Sequence, residues 1–225
     1  PEPLPEPHDL ASGPRPSMRR EAAEGLRYVL AHRYLRYIAA CTGTLNLFSN
    51  IGGVILILYI VDELGIGPGT LGVIFAIANL GVLLGALSAE RFAKWIGVGP
   101  TIVWSAFASP FALVLVAIAP RDAAIPFLVV SGVINTATAV IYNINQVSFR
   151  QAITPERMQG RMNATMRFIV WGTIPIGSIV GGVLGGLIGL QFTIWVGAIG
   201  SFLGFLPVLL SSVRTLQRIP EPESG

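Results

Sequence analysis

The sequence predicts an all-α polytopic membrane protein with six membrane-spanning helices. Hydrophobic residues make up 52% of the 225-residue chain and charged residues only 12%, whereas soluble domains carry about 25% charged residues. Five long stretches contain no Asp, Glu, Lys or Arg: 37–61, 64–89, 95–120, 123–149 and 168–213. Because a bilayer core needs about 20 apolar residues per helix, each of the first four predicts one span. The fifth is long enough for two, which fold back near Gly186, Gly189 and Gln191.

The basic residues orient these spans. Taken in order, the spans cover about 37–60, 70–90, 100–119, 124–149, 165–187 and 191–212. Apart from Arg121, the Lys and Arg residues lie before the first span, after the last, or in the second and fourth connections, with Arg167 at the very start of the fifth span. The positive-inside rule makes those segments cytoplasmic. Both termini are therefore predicted to be cytoplasmic, and the short opposite connections leave no room for a soluble catalytic domain.

The segments that flank the spans have compositions of their own. Residues 1–15 and 216–225 are rich in Pro and Glu, which predicts disordered tails. Residues 16–34 predict an amphipathic interfacial helix, because Ser17 is a good N-cap and one helical face gathers apolar side chains. Those side chains are Met18, Ala22, Leu26, Val29 and Leu30. Alternatively, this helix is simply the start of the first span. The bundle itself then covers residues 35–215.

Ionisable residues are missing from the deep part of every predicted span. Intramembrane Asp, Glu and His mark proton relays and ion sites, so this stretch predicts no carboxylate relay of its own. His8 and His32 lie outside the spans, and no HExxH motif is present. The sequence therefore predicts no enzyme, no metal site and no cofactor, and the single Cys41 excludes an internal disulfide.

Neutral polar residues form stripes in the first and fourth spans. Thr42, Asn46 and Ser49 share one helical face, with Asn50 beside them. In the fourth span the stripe is Ser131, Asn135, Thr138, Tyr142 and Asn145, flanked by Asn143 and Gln146. An amide that faces lipid without a partner is costly, so both stripes must face protein or a wet cavity. The candidate cavity residues are Asn46, Asn50, Asn135, Tyr142 and Asn145; interhelical hydrogen bonding is the alternative.

Small residues mark the fifth span. Gly177, Gly181, Gly185 and Gly189 are four residues apart, which predicts a face that another helix can approach closely. Gly182 and Gly186 are expected to widen it, and Pro175 is expected to kink the helix. Pro175, Gly177, Gly181 and Gly185 are thus the candidate hinge and packing residues, although plain helix packing explains any single pair. The second span repeats the spacing with Gly81 and Gly85.

Two runs carry a resemblance to a known family. The run Asn143–Gln151 and the run Ile153–Ala164 resemble the link between the tenth and eleventh helices of major facilitator superfamily transporters. The nearest subgroup is the bacterial macrolide-efflux and enterobactin-exporter-like proteins, and Gly172–Gly186 looks like their eleventh helix. The resemblance implies the C-terminal six-helix half of a twelve-helix fold, built as a 3+3 inverted repeat. It also implies that residues 1–15 end the central cytoplasmic loop and that an N-terminal half is a partner.

The resemblance implies a secondary active transporter of the bacterial plasma membrane that works by alternating access. Expected substrates are hydrophobic or amphipathic small molecules such as drugs or siderophores, exported against protons; nucleic acid is not an expected partner. The run Gly85–Arg91 with Lys94 looks like a degenerate copy of the family's charged loop signature, which latches the cytoplasmic side. The candidate gate residues are Glu90, Arg91, Lys94, Arg150 and Arg161. Alternatives are a membrane enzyme, a non-transporting scaffold or assembly subunit, and a six-span half that dimerises.

Overall fold

A computed structural model describes residues 18–217 as a bundle of seven helices. A short helix, α1 (Met18–Ala31), precedes six longer ones. These are α2 (Leu35–Glu63), α3 (Pro68–Ile96), α4 (Val98–Ala117), α5 (Arg121–Ala152), α6 (Glu156–Ile188) and α7 (Leu190–Leu209), each long and apolar enough to cross a membrane. The predicted all-α fold with six spans is confirmed. The predicted tail at 1–15 and nearly all of the one at 216–225 lie outside the described residues.

The helices α5 and α6 are longer than the spans predicted from the sequence. Helix α6 begins at Glu156 instead of near residue 165 and therefore contains Arg157, Arg161 and Arg167. Charged residues mark where a chain leaves the bilayer, but Arg is a good helix former and does not end a helix. Pro155 precedes the first residue of α6 with extended backbone, and prolines are well placed at helix starts.

Helix α1 is separate from the first span. The chain turns at His32–Tyr34, where the His32 Nδ1 accepts backbone hydrogen bonds from Tyr34 N at 3.2 Å and Leu35 N at 3.4 Å. These bonds satisfy amides at the start of α2. Helix α1 packs on α6, because Gly25 brings its backbone close to Thr165 and to the Arg161 carbonyl.

Several spans change course inside the bundle. The last turns of α2, Tyr59–Glu63, are a π-helix. Helix α3 has a turn at Asn79, and α4 has one at Pro110, which lacks the N–H that a continuous helix would use. By contrast, α6 continues through Pro175 without a break. Mid-span proline therefore interrupts one helix and not the other.

The contacts between helices follow a 3+3 pattern. The first triplet is α2–α4 and the second is α5–α7. Helix α2 packs against α6 and α7, while α5 packs against α3 and α4. Each triplet therefore inserts its first helix between the second and third helices of the other one, which is the arrangement expected of an inverted repeat.

Paired glycines allow the first helix of each triplet to pack closely against the second helix of the other triplet. Gly81 and Gly85 of α3 approach α5, and Gly177 and Gly181 of α6 approach α2. The contacted residues have the same spacing on the two partners: Val133, Thr136, Ala137 and Val140 on α5, and Leu47, Asn50, Ile51 and Val54 on α2. The two helix crossings are therefore equivalent, although the side chains around them differ.

The glycines of α6 do not all contribute to packing. A Cβ on Gly177 would lie 2.6 Å from the Leu47 carbonyl oxygen, and one on Gly185 would lie 3.2 Å from Ile55. Gly182 and Gly186 have nothing within 4 Å of that position, so the expectation that they widen the packing face is wrong. Gly189 ends α6 with a φ of 87°, which suits glycine and makes the turn into α7.

Two apolar clusters stabilise the ends of the bundle. One surrounds Leu35, Phe149 and Met162, and the other surrounds Tyr59, Leu71 and Ile194. Along α2 and α5 the polar stripes lie between these clusters. The apolar ends thus leave a polar middle between the two triplets.

The glycine contacts predict that substitutions at two neighbouring glycines of α6 have very different effects on the stability of the bundle. Gly181→Leu places a side chain against the Ile51 carbonyl of α2 and should destabilise the bundle by about 1–3 kcal/mol or more, because the backbone there cannot yield. Gly182→Leu, which points into open space, is the matched control. Thermal unfolding and size-exclusion chromatography of the detergent-purified protein measure both. Equal unfolding temperatures for the two variants would contradict this packing.

Candidate functional site

A cavity of about 420 Å³ lies in the polar middle of the bundle. Four helices line it, with α2 and α5 facing each other and α4 and α6 closing the sides. Its polar lining residues are Thr42, Asn46, Ser49, Ser105, Ser109, Asn135, Thr138, Tyr142, Asn143, Gln146, Arg150 and Arg167, and its apolar ones are Leu45, Ala106, Ala139, Met166, Val170 and Trp171. The mixture offers hydrogen-bonding groups and apolar surface to one ligand.

Tyr142 joins the two first helices across this cavity. Its hydroxyl is 2.7 Å from Thr42 Oγ1 and donates to Cys41 Sγ at 3.2 Å. Both partners belong to α2, so the phenol links α5 to α2 beside the cavity. The predicted cavity residue Tyr142 thus lies in the lining and also connects the two triplets.

The asparagines of α2 occupy different settings. Asn46 lines the cavity, and its Nδ2 donates to the Thr42 carbonyl one turn back at 2.8 Å. Asn50 donates to the Asn46 carbonyl at 2.8 Å, but it is not in the lining, because its Cβ packs against Gly177. The close approach of α6 takes the space beside Asn50. Asn50 is therefore a packing residue here, which corrects its expected place in the cavity.

The two asparagines of α5 that were expected in the cavity also differ in their surroundings. Asn135 lines the cavity and is exposed. Asn145 is only 5% exposed, and its Nδ2 donates to the Ile141 carbonyl at 2.9 Å and to the Ala89 carbonyl of α3 at 3.4 Å. It joins α5 to α3 instead of lining the cavity, which corrects the second expectation. Gln146, one residue further on, takes the cavity position.

Two arginines lie at the end of the cavity near the α5–α6 connection. Arg150 comes from α5 and Arg167 from α6, about three turns after that helix begins. Both arginines belong to the basic residues that the sequence places at the cytoplasmic ends of the spans, and here they reach the cavity lining. Arg167 and Trp171 were not identified from the sequence. The signal that could have found them is the four-residue spacing of Asn163, Arg167 and Trp171, which puts the three on one face of α6.

The cavity continues into an opening between α5 and α6. Arg150, Arg167 and Trp171 line both spaces, and the opening has a volume of about 920 Å³. Gly160, Asn163 and Gly172 form part of its wall on α6. The two arginines therefore lie where the polar cavity meets this wider opening.

The predicted gate residues occupy three settings instead of one. Glu90 and Lys94 are exposed and form an ion pair with each other at 2.6 Å, next to the exposed Arg91. Arg161 forms an ion pair with Glu24 of α1 at 2.8 Å. Arg150 lines the cavity. Within residues 18–217 no three His, Cys, Asp or Glu side chains are grouped to hold a metal ion.

Comparison with known proteins adds one finding. A family model described as Major Facilitator Superfamily matches residues 38–225. No curated protein and no solved structure matches the chain. The family match includes every residue that lines the cavity and leaves out α1.

The burial of the two α5 asparagines predicts different access to water. In a background without other cysteines, including Cys41→Ala, Asn135→Cys should react at least about tenfold faster than Asn145→Cys with a charged methanethiosulfonate, because reaction requires an accessible thiolate. The reaction rate in membranes is measured by loss of labelling with a fluorescent maleimide. Equal rates at both positions would rule out the orientation of α5 described above.

Proposed function

The chain belongs to the major facilitator superfamily, and we propose that it is the C-terminal six-helix half of a twelve-helix exporter. Family membership and the six spans establish a membrane transporter in general terms. The proposed finer assignment is a secondary active exporter of the macrolide-efflux and enterobactin-exporter-like subgroup, in a bacterial plasma membrane with both termini cytoplasmic. Its proposed substrates are hydrophobic or amphipathic small molecules.

The observation that carries this proposal is the cavity between α2 and α5. Asn46, Asn135 and Tyr142 give it polar groups, while Leu45, Met166 and Val170 give it apolar surface. An amphipathic molecule needs both kinds of contact. A scaffold or assembly subunit has no need for a polar space between the first helices of its two triplets. The cavity therefore favours transport over the scaffold alternative.

The helix crossings support alternating access as the proposed mechanism. Glycine pairs bring α3 to α5 and α6 to α2 without large side chains between the backbones. Such surfaces let helices shift against each other while the triplets move. We propose that Gly177, Gly181 and Gly185 form the sliding surface, with Pro175 beside it. We also propose that charged contacts rearrange as the cytoplasmic end of the bundle opens and closes. These contacts are the ion pairs Glu90–Lys94 and Glu24–Arg161, with Arg91 next to the first.

Proton coupling places a requirement on the rest of the transporter. A proton that moves through 100 mV supplies about 2.3 kcal/mol. The cavity residues described above include no Asp or Glu that could carry it. We propose that the proton-carrying acid belongs to the N-terminal half, which would also close the other side of the substrate path. Lipid, substrate and proton are then the partners of this half.

Transport assays test the cavity directly. Everted vesicles that contain the natural protein, energised by a pH gradient, are tested with ethidium, rhodamine 123 and fluorescein. Asn135→Leu should lower the flux of any transported dye about tenfold and Tyr142→Phe several-fold, because each removes a hydrogen-bonding group from the substrate path. Tyr37→Phe, a tyrosine of α2 outside the cavity lining, is the matched control.

Protein abundance in the vesicles is measured alongside flux, because Tyr142 also links α2 to α5. Normal insertion with reduced flux supports the proposal. Undiminished flux in both variants, or no movement of any amphipathic compound by the parent protein, would exclude this cavity as a transport path and favour a scaffold.

A further inference from the structure

The side chain of Arg150 is more buried than is expected of an arginine that only anchors a helix end at the membrane surface. It is half-buried near the end of α5, and its Nε is fully enclosed with no hydrogen-bond partner among residues 18–217. The Gln146 Oε1, one turn earlier, is also buried without a partner in that part of the chain. Arginines that anchor a helix extend to the polar interface and hydrate their charge. Burying a guanidinium N–H without an acceptor is costly, so the enclosed Nε favours an acceptor beside it.

Arg167 adds a second positive charge to the same space. It comes from α6 and lines both the cavity and the adjoining opening, as Arg150 does. None of the described residues that line these two spaces is Asp, Glu or Lys. Glu24 and Glu90 form ion pairs with Arg161 and Lys94, and Glu156 is exposed at the start of α6. Among residues 18–217, therefore, no acidic side chain in the lining balances the positive charge of the two arginines at this end of the cavity.

We infer that Arg150 and Arg167 form a subsite for an anionic group, so that the preferred substrates are organic anions with an apolar or aromatic body. The inference rests on the proposed transport function and names its substrate class. A guanidinium presents planar N–H donors that suit a carboxylate, sulfonate or phosphate. Attraction between such charges is strong in a partly enclosed site. The subsite thus selects by charge within a cavity whose other polar groups are neutral.

The apolar lining indicates where the rest of the molecule lies. Trp171 is one turn from Arg167 on α6, is 68% exposed and lines both spaces. Met166 and Val170 lie on the same stretch of helix and also line the cavity. A flat apolar ring system can cover these side chains while its anionic group reaches the arginines. The arrangement fits an amphipathic anion better than a small inorganic one.

Two dyes with the same tricyclic skeleton and opposite charge test this subsite. Fluorescein is an anion and rhodamine 123 a cation, and fluorescence anisotropy measures the Kd of each for the natural protein in nanodiscs. Arg150→Gln and Arg167→Gln should each weaken fluorescein binding about tenfold, as expected for a lost hydrogen bond to a charged group. Rhodamine 123 binding should be unchanged or tighter. Arg157→Gln, an exposed arginine of α6 outside both spaces, should alter neither Kd.

Two further variants strengthen the test. Arg150→Lys keeps the charge and should retain part of the fluorescein affinity. Arg167 is exposed, so Arg167→Gln should fold even if Arg150→Gln does not. Thermal unfolding of each variant without dye is recorded as well. A parent protein that binds both dyes equally would overturn the subsite, and so would Gln variants that keep its preference for fluorescein.

A loss of thermal stability with no change in dye preference would also overturn it, because Arg150 would then pair with a carboxylate elsewhere in the natural protein. These outcomes are separate from failure of the transport proposal. If Asn135→Leu blocks flux while the arginine variants bind fluorescein normally, transport stands and the anion subsite falls. If fluorescein binding depends on the arginines but no dye is moved, the subsite stands and transport falls.

Discussion

Close backbone contact at paired glycines is the constraint on which the rest of this structure depends. Gly81 and Gly85 let α3 reach α5, and Gly177 and Gly181 let α6 reach α2. In a bilayer, an apolar side chain gains little free energy by moving from lipid into a helix–helix interface. Close van der Waals packing therefore provides much of the driving force for helix association. These two crossings fix how each triplet holds the first helix of the other. They also fix which faces of α2 and α5 are left for the cavity.

The polar chemistry of the cavity follows from how those two faces are used. Asn46 and Asn50 return their amide hydrogens to carbonyls of their own helix, and Tyr142 joins Thr42 and Cys41 across the gap. The amides of Asn46 and Asn50 thus form no hydrogen bond to another helix, whereas Tyr142 does. Donors and acceptors remain available to a ligand without loss of the fold. The clearest case is the enclosed Nε of Arg150, which has no hydrogen-bond acceptor in the part of the chain that the structure describes.

The sequence pattern reveals the polar stripes but not how each helix is rotated about its own axis. From Tyr142, a step of three residues gives Asn145 and a step of four gives Gln146, and a helix of 3.6 residues per turn permits both. Packing against α3 turns Asn145 toward Ala89 and leaves Gln146 in the cavity. Asn50 was misassigned for the same reason, since Gly177 of α6 occupies the space beside it. Arg167 was missed because it was counted among the cytoplasmic basic residues that orient the spans.

The sequence by itself determined the all-α class, the six spans, the turn at Gly189 and the helix faces rich in glycine or amides. Composition and periodicity fix these features, because a lipid environment demands long apolar helices with satisfied backbone groups. Only the tertiary structure decided which helices cross, which asparagines face the cavity and that two arginines meet there. Those outcomes depend on contacts between α2, α5 and α6, which lie far apart in the chain, and no local pattern records their relative rotation.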